Sequence, residues 1–285
     1  MLNPLDPRLL VTFVQAAHSG SLSVTAVQVG RTQSAVTMQM QRLEETLGQT
    51  LLHRSGNGVR LTGAGERFLV YAERILKMHD EAISTFSGKG LHGSIVFGSP
   101  EDYLVAFFPS LLRSFGSKYP DVDIKVVAAP TVELKALLQS RKVDIALVST
   151  PNLNDLENIV RTEPLVWVGS KASLELHDFA DTLPLALPAS NAMDHRAACE
   201  AMDGSGLRYN ISYASNSIAG LIAVARSGLA ISVMTEGAVP PDLNILNAPL
   251  PKLPHLGILV ALPDAEQTAA VTAFADHVRR MLKTL

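Results

Sequence analysis

The sequence changes character once, and the place of that change limits the folds open to it. Up to about residue 86 its apolar residues recur with helical period, interrupted by one short hairpin-like stretch. From Leu91 onward short apolar runs alternate with helical segments. Between them, Ser87-Gly88-Lys89-Gly90 has the composition of a linker. In the second stretch, strands at 94–98, 122–127 and 144–148 enclose helices at 103–117 and 132–140. This βαβαβ run predicts a mostly parallel sheet covered by helices. A second set follows, with strands near 165–169, 183–187, 209–213, 230–234 and 258–262, helices near 192–202 and 217–227, and a closing helix at 266–282. Two α/β halves with a late return of the chain predict a two-lobed body with a cleft.

The first stretch is more specific. Asp6-Pro7 suits the start of a helix in which Leu9, Leu10, Phe13, Val14 and Ala17 share one face. Gly20 suits its end, and Ser21 can cap a short helix at 22–29. Gly30-Arg31 is a tight break, after which Thr32 can cap a third helix at 33–47. There Val36, Met40, Leu43 and Leu47 form an apolar face, and Gln33, Ser34, Thr37, Gln41 and Glu44 a polar one. Two short helices joined by a Gly-containing break make a helix-turn-helix pattern. Two short strands around Ser55-Gly56-Asn57-Gly58 then read as a hairpin, the position of a wing. Thr62 opens a long helix to about residue 86, spanning about 36 Å. Its apolar positions (Phe68, Leu69, Ala72, Ile75, Leu76, His79, Ile83) need a partner, either a twin helix or the body of the same chain.

Composition narrows the function. The 285 residues suggest two or three compact units, and 47% hydrophobic residues exclude global disorder. A net charge of −3 argues against a uniformly basic DNA coater. The charge is uneven: residues 1–90 carry +2 and the remainder −5, a layout that suits a basic binding module joined to an acidic sensing body. One cysteine, Cys199, leaves no disulfide framework or CxxC cluster and reads as packing. No signal peptide, membrane span or metal site is expected, and the eight histidines lack ligand spacing. Gly88 to Gly93 matches GxGxxG, but it follows a helix and precedes a strand, the wrong order for a dinucleotide site. No GxSxG, HExxH or Walker pattern occurs, so no catalytic residue and no cofactor is expected.

Several stretches together resemble LysR-type transcriptional regulators. They are Phe13-Val14, Ala16-Ala17 and Gly20-Ser21-Leu22; Gly30-Arg31-Thr32-Gln33-Ser34-Ala35-Val36-Thr37; Arg42-Leu43-Glu44-Glu45 and Leu47-Gly48; Leu51-Leu52 and Arg54; and Val59-Arg60-Leu61-Thr62. The match runs in order and without gaps over about residues 8–76. Pro100-Glu101-Asp102-Tyr103, Tyr119-Pro120 and Asp144-Ile145-Ala146-Leu147 are similar to the family's effector-binding domain. Leu22, Thr25, Ser34 and Met38 depart from the family pattern, Met38 where arginine is frequent.

The resemblance implies an N-terminal winged helix-turn-helix (1–61) and a linker and dimerisation helix (62–90). A two-lobed α/β periplasmic-binding-protein-like effector domain follows at 91–285, with lobe I at 91–164 and 263–285 and lobe II at 165–262. It implies a cytoplasmic homodimer through the linker helix, assembling as tetramers, that binds double-stranded promoter DNA and a small-molecule effector. RNA polymerase is a further candidate partner. Thr32, Gln33, Ser34, Thr37, Gln41 and Arg42 on the recognition helix, with Arg54 and Arg60 on the wing, are the candidate DNA contacts. Pro100, Glu101, Asp102, Thr131, Ser149, Asn216 and Ser217 are the candidate effector contacts. Ser99 to Asp102 and Thr131 serve equally well as helix caps. If the Glu101-Asp102 loop is the site, its carboxylates favour an amine or several hydroxyls over an anion. Two rivals stay open: a small-molecule binder or enzyme whose N-terminal helices only oligomerise, and a regulator whose body binds no ligand.

Overall fold

The computed structural model describes residues 5–55, 58–86, 90–155, 157–170, 182–247, 249–264 and 266–284; the wing-turn residues 56–57 and linker residues 87–89 lie outside them. The chain forms two compact units, Met1–Gly93 and Ser94–Leu285. No helix among the described residues is long and apolar enough to cross a membrane.

The first unit contains α1 (Pro7–Ser19), α2 (Leu22–Gln28), α3 (Gln33–Leu47), the hairpin β1 (Leu52–Ser55) and β2 (Gly58–Leu61), and α4 (Gly63–Phe86). Each start is capped where the local sequence calls for it. The amides of Arg8, Val24, Ala35 and Gly65 donate to the side chains of Asp6, Ser21, Thr32 and Thr62. Gly20 and Gly48 end α1 and α3 in the left-handed conformation. Leu10, Phe13, Val36, Met40 and Leu43 form the core, closed by Leu51 and Val59 of the hairpin. Thr25, a departure from the family pattern, is fully buried, and its hydroxyl donates to the Ser21 carbonyl at 2.7 Å.

Two expectations change here. The long helix is not a separate element: Phe68, Leu69, Ala72 and Leu76 pack into the first unit's own core, with Phe68 5.4 Å from Phe13. Glu44 does not belong to the open polar face. Its carboxylate accepts the amides of Leu51 at 2.7 Å and Leu52 at 3.1 Å, tying α3 to the start of the hairpin. We predict that Glu44→Ala costs the first unit about 1–3 kcal/mol, because the amides of two buried residues, Leu51 and Leu52, lose their acceptor. Glu44→Gln should recover most of this in thermal unfolding, and an unchanged midpoint for Glu44→Ala would refute the role.

The second unit holds nine strands in one sheet among the described residues. In chain order its elements are β3 (Gly93–Ser99), α5 (Glu101–Ala106), α6 (Phe108–Lys118), β4 (Val122–Ala128), α7 (Thr131–Gln139) and β5 (Ile145–Thr150). Next come β6 (Ile159–Ser170), β7 (Leu183–Leu187), α8 (Met193–Ser205), β8 (Tyr209–Ala214), α9 (Ile218–Ser227) and β9 (Ile231–Thr235). The last elements are β10 (Leu243–Leu246), β11 (His255–Ala261) and α10 (Ala269–Thr284). The strand order is β4-β3-β5-β11-β6-β9-β7-β8, with β10 also on β6.

The sheet is mixed rather than mostly parallel. β3 runs parallel to β5, and β7 parallel to both β8 and β9, but β11 and β6 pair antiparallel with their neighbours. β6 joins the two lobes. Its first half, 159–164, pairs with β11; its second half, 165–170, pairs with β9 and β10. Sequence patterning finds only that second half. It also places the β11 segment in the second lobe, whereas β11 lies between β5 and the first half of β6, in the first lobe's part of the sheet. The helix expected at 103–117 is two helices, α5 and α6. Pro109 occupies the first turn of α6, where its missing N–H costs no helical bond. α10 returns to the first lobe, where Phe274 meets Phe97 and Phe115 edge-on at 5.4 and 4.9 Å.

Candidate nucleic-acid interface and ligand cleft

The α3 core face (Val36, Met40, Leu43) fixes what its other side presents. Ser34, Met38, Gln41 and Glu45 recur at i, i+4, i+7 and i+11 and are all exposed. Thr37, half-buried, and Arg42, exposed, flank this stripe on opposite sides, and Gln33 opens the helix beside it. Thr32 is exposed, with its oxygen accepting from the Ala35 amide and sitting 3.1 Å from the Ser34 hydroxyl. The structure thus gathers the six α3 candidates on the open side of one helix. Met38, 68% exposed, sits mid-stripe. Reading it only as a lost arginine missed it; the i+4 spacing from Ser34 would have found it. A methionine there offers an apolar contact of the kind that suits a thymine methyl.

On the wing, Arg60 pairs with His53 across the strands, and both are exposed. His53 is a second missed candidate, visible from strand alternation. Arg54 pairs with Val59 in β1, and its side chain lies outside the described residues. Val59 N–H donates to the Gly20 carbonyl at 2.8 Å, holding the hairpin against the α1–α2 turn.

In the second unit, all seven effector candidates line one cavity of about 380 Å³. That volume suits a small metabolite. Pro100, Glu101 and Asp102 come from the start of α5, Thr131 and Ser149 from the ends of α7 and β5, and Asn216 and Ser217 from the start of α9. Their side chains do different things. Glu101 Oε2 accepts the Ile218 amide at the N-terminus of α9, clasping one lobe to the other. The Thr131 hydroxyl oxygen accepts the Ser149 amide at 2.9 Å, and the Ser149 hydroxyl lies 2.8 Å from the Tyr103 hydroxyl. Thr131 and Ser149 therefore brace the cleft floor and keep only spare hydroxyl capacity for a ligand. Ser99 does not cap α5 as the alternative reading had it. It is fully buried at the end of β3, its hydroxyl donating to the Pro100 carbonyl, and α5 has no side-chain cap.

Asp194, at the start of α8, also lines the cavity with Asn191 and Met193. Sequence reading missed this wall, although the loop between β7 and α8 stands at a strand's carboxyl end just as Ser99 to Asp102 does. Burial pushes the Asp102 carboxyl up to about 7, and the neighbouring charge of Asp194 adds to the rise, against hydrogen bonding from Thr235 and the Tyr103 amide. Burial likewise raises the Asp194 carboxyl.

Comparisons with known proteins fit these geometries. The family described as "Bacterial regulatory helix-turn-helix protein, lysR family" matches residues 7–66, and that described as "LysR substrate binding domain" matches residues 88–283. The chain is 46% identical over 283 residues to the HTH-type transcriptional regulator DgdR of Burkholderia cepacia, covering 99% of this chain and 96% of that one. It is 32% identical over 253 residues to the HTH-type transcriptional regulator PecT of Dickeya dadantii, covering 88% and 79% respectively. Among solved structures it is similar to ArgP from Mycobacterium tuberculosis, with a TM-score of 0.66, 18% identity and 99% of each chain covered.

Proposed function

Because the chain belongs to the LysR family of bacterial helix-turn-helix transcriptional regulators, we propose that α3 enters the major groove of promoter DNA and that a small molecule bound in the cleft between the lobes sets how the DNA is held. Ser34, Thr37, Met38 and Gln41 read base edges; Thr32, Gln33, Arg42, Arg54 and Arg60 contact the sugar-phosphate backbone. Glu45 marks the end of α3 that stays clear of phosphate. Two copies pair through the exposed face of α4 and meet two half-sites; two such dimers make the DNA-bound tetramer, which contacts RNA polymerase. The protein works in the cytoplasm, beside the chromosome. DgdR and PecT are named as regulators, and no covalent step is assigned to this chain.

The observation that carries this function is the open stripe on α3, directly opposite a fully buried core face and held there by four capped helices and a clipped wing. Ligand control requires that the effector bind one lobe arrangement better than another. The deciding experiment captures genomic fragments with the purified full-length protein and sequences them. Enrichment of a few intergenic sites with dyad symmetry is the expected result; a flat profile, with and without metabolites, overturns it. We further predict that Thr37→Ala weakens binding to the captured site by roughly fivefold, about 1 kcal/mol, with little effect on random DNA. Equal losses on both would remove Thr37 from base reading.

A further inference from the structure

The cleft is acidic, and its acids come from both lobes. Glu101, Asp102 and Glu133 belong to the first lobe and Asp194 to the second. Among the described residues lining it there is no lysine, arginine or histidine. Glu101 is already engaged with the Ile218 amide. Asp102 accepts the Tyr103 amide and Asp194 the His195 amide, and neither makes an ion pair among the described residues.

Asp102 and Asp194 line the same cavity from different lobes, and the Asp194 charge adds to the rise of the Asp102 carboxyl, so the two carboxyls share one space. Thr235, at the end of β9, is fully buried, and its hydroxyl bonds toward Asp102.

On the reading that this cleft is the effector site, we propose that it selects a small molecule carrying an ammonium group, held between Asp102 of one lobe and Asp194 of the other. A cation there removes the like-charge repulsion across the cleft and gives each carboxylate a charge-assisted hydrogen bond. An anion would face two carboxylates with no basic side chain to offset them. Ala128, Ala129, Leu221 and Met234 line the rest of the wall and accept a short alkyl skeleton. Cation binding draws both lobes toward the same group, so it favours the closed arrangement over the open one.

The test is calorimetry on the full-length protein with alkylamines and amino alcohols of three to six carbons. Each is compared with the alcohol and the carboxylic acid of the same skeleton. Amines should bind at least tenfold more tightly than their alcohols and acids, and Asp102→Asn and Asp194→Asn should each weaken amine binding at least tenfold. The wild-type comparison stands even if a variant misfolds. Alcohols or acids binding as well as amines, no amine binding at all, or amine affinity that survives both substitutions overturns the proposal. Tight cleft binding of an acid that changes DNA affinity overturns it while leaving the effector function intact. Amine binding that leaves DNA affinity unchanged supports the charge preference and counts against the effector function.

Discussion

Replacing Ile75 and Met78 together with glutamate leaves the protein monomeric at micromolar concentration and lowers its affinity for a two-half-site operator by about a hundredfold or more. The reason lies in how α4 divides its surface. One face is spent on its own unit, where Phe68, Ala72 and Leu76 pack into the core. A second face carries Tyr71, Ile75 and Met78, 59%, 39% and 69% exposed, with Ala82 also exposed. Their spacing of four, three and four is that of a coiled-coil seam. Two glutamates in that seam meet two more from the twin helix, and their repulsion and desolvation oppose pairing. Because the positions face solvent, helix content and the unfolding midpoint should stay unchanged. Light scattering and fluorescence anisotropy on one- and two-half-site duplexes measure both effects. A variant that remains dimeric would move the pairing surface away from this face.

Gly65→Ala should strongly destabilise the first unit while sparing the second. A β-carbon at Gly65 is driven into the Leu51 carbonyl oxygen, far inside contact distance, with the Leu61 side chain 3.0 Å away on another side. The carbonyl cannot retreat, because it accepts the Thr62 amide at 2.9 Å while the Leu51 amide is held by Glu44. The clash therefore separates α4 from the hairpin and loosens the contact between Phe68 and Phe13. Overpacking of this kind costs about 3 kcal/mol or more, and each kcal/mol lowers the midpoint of a domain this size by about 4–8 °C. Calorimetry should show the first unit's transition falling by more than about 12 °C, with specific DNA binding lost at 37 °C. A midpoint within a few degrees of the wild-type value would mean that the helix and Leu51 are not so closely joined.

In the first unit the helix-capping signal was local and legible. Asp6, Ser21, Thr32 and Thr62 cap helices because a short oxygen-bearing side chain before an apolar-periodic run satisfies an otherwise orphaned amide. The rule that α/β sheets open their sites at strand carboxyl ends leads to Glu101 and Asp102, the family resemblance to Thr131 and a helix start in the second half to Asn216, and all four line the cavity. Where a residue's partner is distant in sequence, the reading failed. Glu44 looked like one more polar residue on an open face, because nothing in α3 announces that the Leu51 and Leu52 amides lie against it. Met38 was judged by what it replaced rather than by its place in the exposed stripe.

By itself, then, the sequence determined the two-part architecture, the capped three-helix unit with its wing, the open polar side of α3 and seven residues of the cleft lining. Each depends on patterns a few residues long, and those patterns act on the chain directly. Only the tertiary structure decided that β6 runs through both lobes, that β11 returns to the first, that Glu101 reaches the start of α9, and that Asp102 and Asp194 line one cavity. Those pairings are set by how two half-sheets share one strand. Burial between the lobes then turns two ordinary aspartates into opposed acids in one cavity.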